Sequence, residues 1–126
     1  MAIEQLAVWV KEQEISQFRV ENDGTRDLVF QGVELDSTRQ KTGTGRHLEI
    51  TIWATTGGNL VVHKWHGTQW QGCQDRHETR VCHSIAEALK FLESHDGYLG
   101  QVSRSVWEEA CRTCLPLAGQ DVEQVL

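Results

Sequence analysis

Apolar and polar residues alternate most cleanly in HLEITIWAT, residues 47–55. Leu48, Ile50, Ile52 and Ala54 share one parity, and Glu49, Thr51, Trp53 and Thr55 share the other. Successive side chains of a strand point to opposite faces, so this run predicts a strand half-buried in a sheet. Gly57-Gly58 follows, a pair able to take the positive backbone angles of a two-residue hairpin turn. Folded about that turn, the next segment sets Val61 opposite Ala54, His63 opposite Ile52 and Trp65 opposite Ile50. On the other side Lys64 meets Thr51 and His66 meets Glu49. The hairpin then has one apolar and one mostly polar face.

The same reading extends outwards. In AIEQLAVWVKEQE, Ile3, Leu6, Ala7 and Val10 recur at helical spacing, although Val8-Trp9-Val10 also suits a strand. Phe18 and Val20 suggest a short strand before the turn signal Asn22-Asp23-Gly24. In DLVFQGVELD, Leu28 and Phe30 have one parity and Val33 and Leu35 the other; a bulge at Gln31-Gly32 would bring all four to one face. Residues 37–47 read as a polar loop, TQWQGCQDRHE as a turn-rich connection, and TRVCHS as a further strand. Ser84 and Glu87 have capping-box spacing ahead of a helix with Ile85, Ala88, Leu89 and Leu92 on its buried stripe, stopping near Asp96-Gly97. SVWEEACRTC predicts a last helix, capped by Ser103 or Ser105 and ended by Pro116.

An antiparallel sheet with one apolar face must cover it, and the C-terminal helices are the available cover. The expectation is one α+β domain over residues 1–126: a four- to five-stranded, mainly antiparallel sheet with one face under two or three helices, the last two at the C-terminus. Residues 1–24 form the N-terminal helix or strand segment, 28–83 the sheet and 84–116 the two C-terminal helices.

Composition narrows the function classes. The 126 residues suffice for one core without staples. No run is long enough to cross a bilayer and the N-terminus lacks a secretory pattern, so a cytoplasmic location without membrane contact is expected. A net charge of -6 disfavours nucleic acid as a partner. In a reducing compartment Cys73, Cys82, Cys111 and Cys114 stay thiols.

His63, His66, Cys73, His77, Cys82 and His83 fall within a span that zinc modules use. Strand geometry opposes it, because residues three apart, such as His63 and His66, point to opposite faces. Only a strand ending near Trp65 would let both reach one ion, and no metal or other cofactor is favoured. Cys111-Arg-Thr-Cys114 lies towards the end of a helix, on a stripe with Trp107 and Ala110, which reads as core and not as a redox motif. Asp75, Arg76, His77 and Glu78 collect titratable groups in the predicted connection, but no nucleophile, nucleotide-binding or metalloprotease signature occurs, and no catalytic residue is assigned. Arg39, Lys41 and Arg46 make the 37–47 loop a candidate anion or nucleic-acid site, against the simpler reading as a solvated loop. Five tryptophans are many for this length, and Trp53, Trp65 and Trp70 are the candidate interaction face.

The order Phe30-x-Gly32-x-x-Leu35, the basic Gly-rich stretch ending Gly45-Arg46, TIWATTGG, VVHKW, the helix from Ser84 and the helix near WEEACR resembles small bacterial proteins of the EXLDI type over about residues 28–112. The resemblance implies a compact α+β domain without assigned catalysis, preceded in some members by a DNA-binding ribbon-helix-helix segment. The N-terminal segment here lacks that pattern, the terminal signature is absent, and no site residue is carried over.

The sequence thus predicts a non-enzymatic protein-interaction module from a bacterium, phage or mobile genetic element, binding a protein partner or a second copy as a homodimer. The rival is a small ligand-, metal- or nucleic-acid-binding protein using the His/Cys cluster or residues 37–47. An anti-defence inhibitor, acidic enough to engage a basic groove, is a further alternative.

Overall fold

Gly58 has φ 83°, while neither Thr56 nor Gly57 is left-handed. In the computed structural model, which describes residues 5–93 and 100–117, the Gly58 amide donates to Thr55 O at 3.0 Å and the Thr55 amide to Asn59 O at 2.9 Å. This is a three-residue loop, a type I turn followed by a left-handed glycine, and not the two-residue turn expected from Gly57-Gly58. The extra residue moves the pairing by one. Strands β3 (Arg46–Thr55) and β4 (Leu60–Thr68) therefore pair Ile50 with Lys64, Ile52 with Val62, Trp53 with Val61 and Ala54 with Leu60. Even-numbered residues of β3 do turn inward, but the predicted partners Val61, His63 and Trp65 lie on the opposite face, because a one-residue slip inverts a whole strand.

The sheet is antiparallel with five strands in sequential order, adding β1 (Ser16–Val20), β2 (Leu28–Gly43) and β5 (Arg76–Cys82). Three helices complete a single α+β domain: α1 (Leu6–Lys11), and at the C-terminal end α2 (Ile85–Leu92) and α3 (Gln101–Thr113), followed by a 3-10 turn, Leu115–Leu117. The N-terminal segment is thus a helix, with Leu6 and Val10 fully buried. α2 ends at Leu92, earlier than the stop expected near Asp96-Gly97, because Glu93 is already extended; Asp96, Gly97 and the Ile3 of the N-terminal stripe lie outside the described residues.

Residues 37–47 are not a loop. β2 runs on to Gly43, and Thr44-Gly45, with Gly45 at φ 69°, make the turn into β3. Regular pairing up to Arg39↔Glu49 and Lys41↔His47 satisfies backbone groups that a loop would leave to water. The bulge also differs from expectation. Pairing is unbroken through Gln31-Gly32, and the register shifts between Glu34 and Asp36 instead. Leu28 and Phe30 consequently face away from Val33 and Leu35, so β2 contributes to two apolar clusters. Gly32 is required for close approach: a Cβ there would overlap the Ala54 carbonyl.

The larger cluster lies between sheet and helices. Ile50, Ile52, Ala54, Leu60 and Val62 pack under α1, α2 and α3, which supply Val10, Leu92 and Val106 among others. Ser84 caps α2 as expected, its Oγ accepting the Glu87 amide at 3.1 Å, while the return bond of the Glu87 carboxylate takes the His83 amide at 3.2 Å, one residue before the cap. The cap of α3 is Gly100, with no side-chain hydrogen bond; Ser103 is buried inside the helix and Ser105 lies there too. Its start is set by packing of Val102, Val106 and Trp107, not by a hydroxyl.

Gly32→Ala is expected to lower the unfolding free energy by about 2 kcal/mol, the usual penalty of an overpacked core. Gly43→Ala, where a Cβ would meet nothing within 4 Å, should stay within about 0.5 kcal/mol. Urea denaturation of both variants checks this, and equal losses would contradict it.

Candidate functional site on the concave face of the sheet

The face away from the helices carries the odd-numbered residues of β3, β4 and β5. At one end Val20, Trp53 and Val61 are buried, with Phe18, Leu28, Phe30 and Val81 packed on them. Phe18 lies on β1, two strands from Trp53, yet their ring centroids are 5.9 Å apart. Neighbouring strands are spaced by about 4.8 Å, yet the turn after β1 also reaches His77 and Thr79 of β5 at the opposite edge, so the sheet is strongly curled. This face is therefore concave and partly apolar, where a mostly polar surface was expected.

The curl is closed by the turn after β1. The Asp23 amide donates to His77 O at 3.0 Å and the His77 amide to Asp23 Oδ2 at 2.8 Å. The Thr79 amide donates to Asn22 Oδ1 at 3.1 Å, and its hydroxyl to Glu21 O at 2.6 Å. These contacts occupy the outer edge of β5, which would otherwise present bare amides to solvent.

Two histidines meet beneath this clasp. His63 Nε2 and His77 Nδ1 are 2.9 Å apart, and His77 Nε2 lies 3.3 Å from Glu21 Oε2. The carboxylate favours the proton on His77 Nε2, so Nδ1 accepts and His63 Nε2–H donates. Burial, with a further contribution from His77 and against the pull of Asp23, pushes the His63 pKa down to about 4. His63 is thus neutral near pH 7.

Beside the pair opens a cleft of about 490 Å³ whose lining includes Trp53, Thr51, Ser37, Glu34, Glu49 and Glu21. Ser37 Oγ and Thr51 Oγ1 are 2.9 Å apart. Glu49 pairs with Arg39 at 3.3 Å, and the Arg39 guanidinium sits 4.9 Å from the Trp65 ring centroid. The Trp65 indole donates to Asp75 Oδ2 at 2.9 Å; with the Thr68 amide on the same carboxylate, these bonds hold the Asp75 pKa below its usual value, the Thr68 bond contributing most.

The structure unites some predicted residues and separates others. Arg39, Trp53 and Trp65 share the concave face, although Trp53 is only 7% exposed. Trp70, 51% exposed, instead clasps the tip of the β2–β3 hairpin, its indole donating to Thr44 O at 2.8 Å. Arg39, Lys41 and Arg46 form no common anion site: Arg39 and Lys41 lie on the concave side, and Arg46 has the opposite parity and lines a separate pocket with His66.

β4 continues through Thr68, so His63 and His66 stay on opposite faces, and no group of three or more potential metal ligands converges among the described residues. Cys82 and Cys114 are buried, and burial pushes both thiols up to about 11. The Cys111–Cys114 pair sits at the C-terminal end of α3, where no helix N-terminus stabilises a thiolate.

Sequence reasoning missed the His63–His77–Glu21 chain and the cleft. His77 had been placed in a connection, but it belongs to β5, opposite Trp65. The available signal was parity: once β5 is extended back to Arg76, His77, Thr79 and Val81 fall on one face.

A native histidine held near pKa 4 against an ordinary 6.5 takes up protons less readily than the unfolded chain. Its stabilising effect is complete above about pH 6.5 and declines as pH falls through that window to about 4. His63→Gln should therefore flatten the decline of the thermal midpoint between those pH values; parallel curves for both proteins would contradict this. Comparisons with protein-family models, with curated proteins and with solved structures find no match, so the geometry of this face carries the functional reading.

Proposed function

We propose that the chain is a non-enzymatic protein-interaction module whose recognition surface is the concave face of the sheet. The observation that carries this reading is one solvent-open cleft lined by Trp53, Arg19, Glu34 and Glu49, with Arg39 and Trp65 next to Glu49 on the same face of a hydrogen-bonded sheet. Aromatic and arginine side chains held rigidly at a surface depression are the usual anchors of protein interfaces. The chemistry of the face supports binding over catalysis. His63 bonds to His77, which is itself held by Glu21 in the clasp, and the Ser37 hydroxyl bonds to Thr51 and not to a base.

A small-molecule ligand is a second reading, favoured by a cleft volume within the range of such sites. In either case the occupant enters between β2 and the clasp of residues 21–23.

Ser37→Trp would fill the cleft from an exposed position that tolerates a strand-forming residue. Tagged protein recovered from its native cells should retain a partner that Ser37→Trp loses. Val29→Lys, a substitution at an exposed position outside the cleft, should keep it. Circular dichroism verifies that both variants fold. Retention by Ser37→Trp, or no partner on the unaltered chain, contradicts the proposal.

A further inference from the structure

The helix-side face of the sheet continues past the end of the helix-covered core. Arg46 stands directly opposite Thr68 and His66 directly opposite Arg76, so the four share that face across β3, β4 and β5. Leu48, the next residue of the same parity on β3, still packs on the core, whereas Arg46 and Arg76 are exposed. With strands about 4.8 Å apart, the two arginines rise from either side of β4 and flank His66 and Thr68. A depression of about 350 Å³ opens among them, with Thr42 and Gln74 also in its lining.

On a chain of net charge -6, no carboxylate lines this depression. Arg46 has no ion pair and no side-chain hydrogen bond among the described residues. Arg76 reaches a single carboxylate, Glu78 at 3.7 Å, which also takes His66 at 3.4 Å. The Thr68 hydroxyl accepts the Trp70 amide at 3.1 Å and keeps its own hydrogen for a further acceptor. Cationic and hydroxyl donors thus converge from three strands without enough acceptors among them, which favours an incoming anion.

The walls are fixed as well. The Gln69 amide donates to Gly45 O at 2.8 Å and the Trp70 indole to Thr44 O at 2.8 Å, tying the β4–β5 connection to the hairpin tip that carries Arg46. Asp75, the other acid close by, is engaged by the Thr68 amide and by the Trp65 indole of the concave face. A site held in place before binding loses less freedom when its ligand arrives.

Shape selects among anions. A carboxylate is planar and one guanidinium fork satisfies it, whereas a phosphate presents oxygens in several directions to donors arriving from β3, β4 and β5. The depression is also larger than a lone phosphate ion needs and falls at the lower end of small-molecule sites. Among the described residues no Leu, Ile, Val, Phe, Tyr or Trp lines it, so the group that carries the phosphate is polar.

We infer that this depression binds a phosphate monoester carried on a small polar group, with Arg46 and Arg76 on the phosphate oxygens and the Thr68 hydroxyl between them. It lies on the opposite face of the sheet from the concave cleft and stands independently of the reading of that cleft.

The test is an NMR titration of the isotopically labelled full chain at low ionic strength and near pH 7, where a phosphate monoester is largely a dianion. Glycerol 3-phosphate and acetyl-Gly-phosphoserine-Gly-amide are the two carriers, and dimethyl phosphate is the singly charged diester. A monoester should move the Arg46 and Arg76 Nε–H signals and the Thr68 amide to a plateau, while Arg104, exposed on α3, stays in place. The tighter of the two carriers assigns the source, a free metabolite or a phosphorylated protein. Dimethyl phosphate should bind at least about tenfold more weakly, and Arg46→Gln and Arg76→Gln should each cost the monoester as much, the scale of one hydrogen bond to a charged group. Both arginines are exposed, so the variants keep the fold. Dimethyl phosphate binding as tightly as the monoesters, shifts at Arg104 that track those at Arg46, undiminished binding by either variant, or no shift with either monoester overturns the inference.

Discussion

The pairing of Ile52 with Val62 is the constraint on which the molecule depends. It follows from three loop residues, of which Gly58 alone needs a left-handed backbone. With that pairing, Ile50, Ile52, Ala54, Leu60 and Val62 form one continuous row beneath the helices, each at most 1% exposed. Burying each of the larger side chains contributes roughly 1.5–3 kcal/mol. Moved by one residue, β4 would offer His63 and Trp65 to the helices and turn Val62 and Leu60 outward. The helix-covered core and the cleft are thus two consequences of the same turn.

The second consequence is a sheet with work on both faces. Phe18, Phe30 and Trp53 need burial that no helix provides, and the sheet supplies it by curling. Curling brings the turn at residues 21–23 onto β5, where its polar groups satisfy the edge amides and where Glu21 meets the histidine pair. The apolar end is thereby closed, while the end carrying Glu34, Glu49 and Trp65 remains open. A hydrogen-bonded frame thus stands beside an open, charged depression.

Much of the fold was legible because its signals are local. The alternation from Leu48 to Ala54, the Ser84–Glu87 spacing and the buried stripe of α2 each depend on residues within one element. The site was less legible because its determinants act across elements. Gly57-Gly58 is compatible with two loop lengths, and only hydrogen bonds between Thr55, Gly58 and Asn59 choose between them. Residues 37–47 lack hydrophobic residues, apart from the role Leu48 plays just beyond them, so periodicity could not reveal a hairpin held by pairing. The bulge was sought at Gly32, yet that glycine answers to the Ala54 carbonyl while the shift falls after Glu34. His77 was read by its charged neighbours, although its partner is His63, fourteen residues earlier.

The β3–β4 register is most directly tested by cross-strand nuclear Overhauser contacts in solution. A strong Hα–Hα contact between Ile52 and Val62, repeated for Ala54 with Leu60 and Ile50 with Lys64, is the result this account predicts. Contacts joining Ile52 to His63 and Ala54 to Val61 would contradict it, and would remove Trp53, His63 and Trp65 from their shared face.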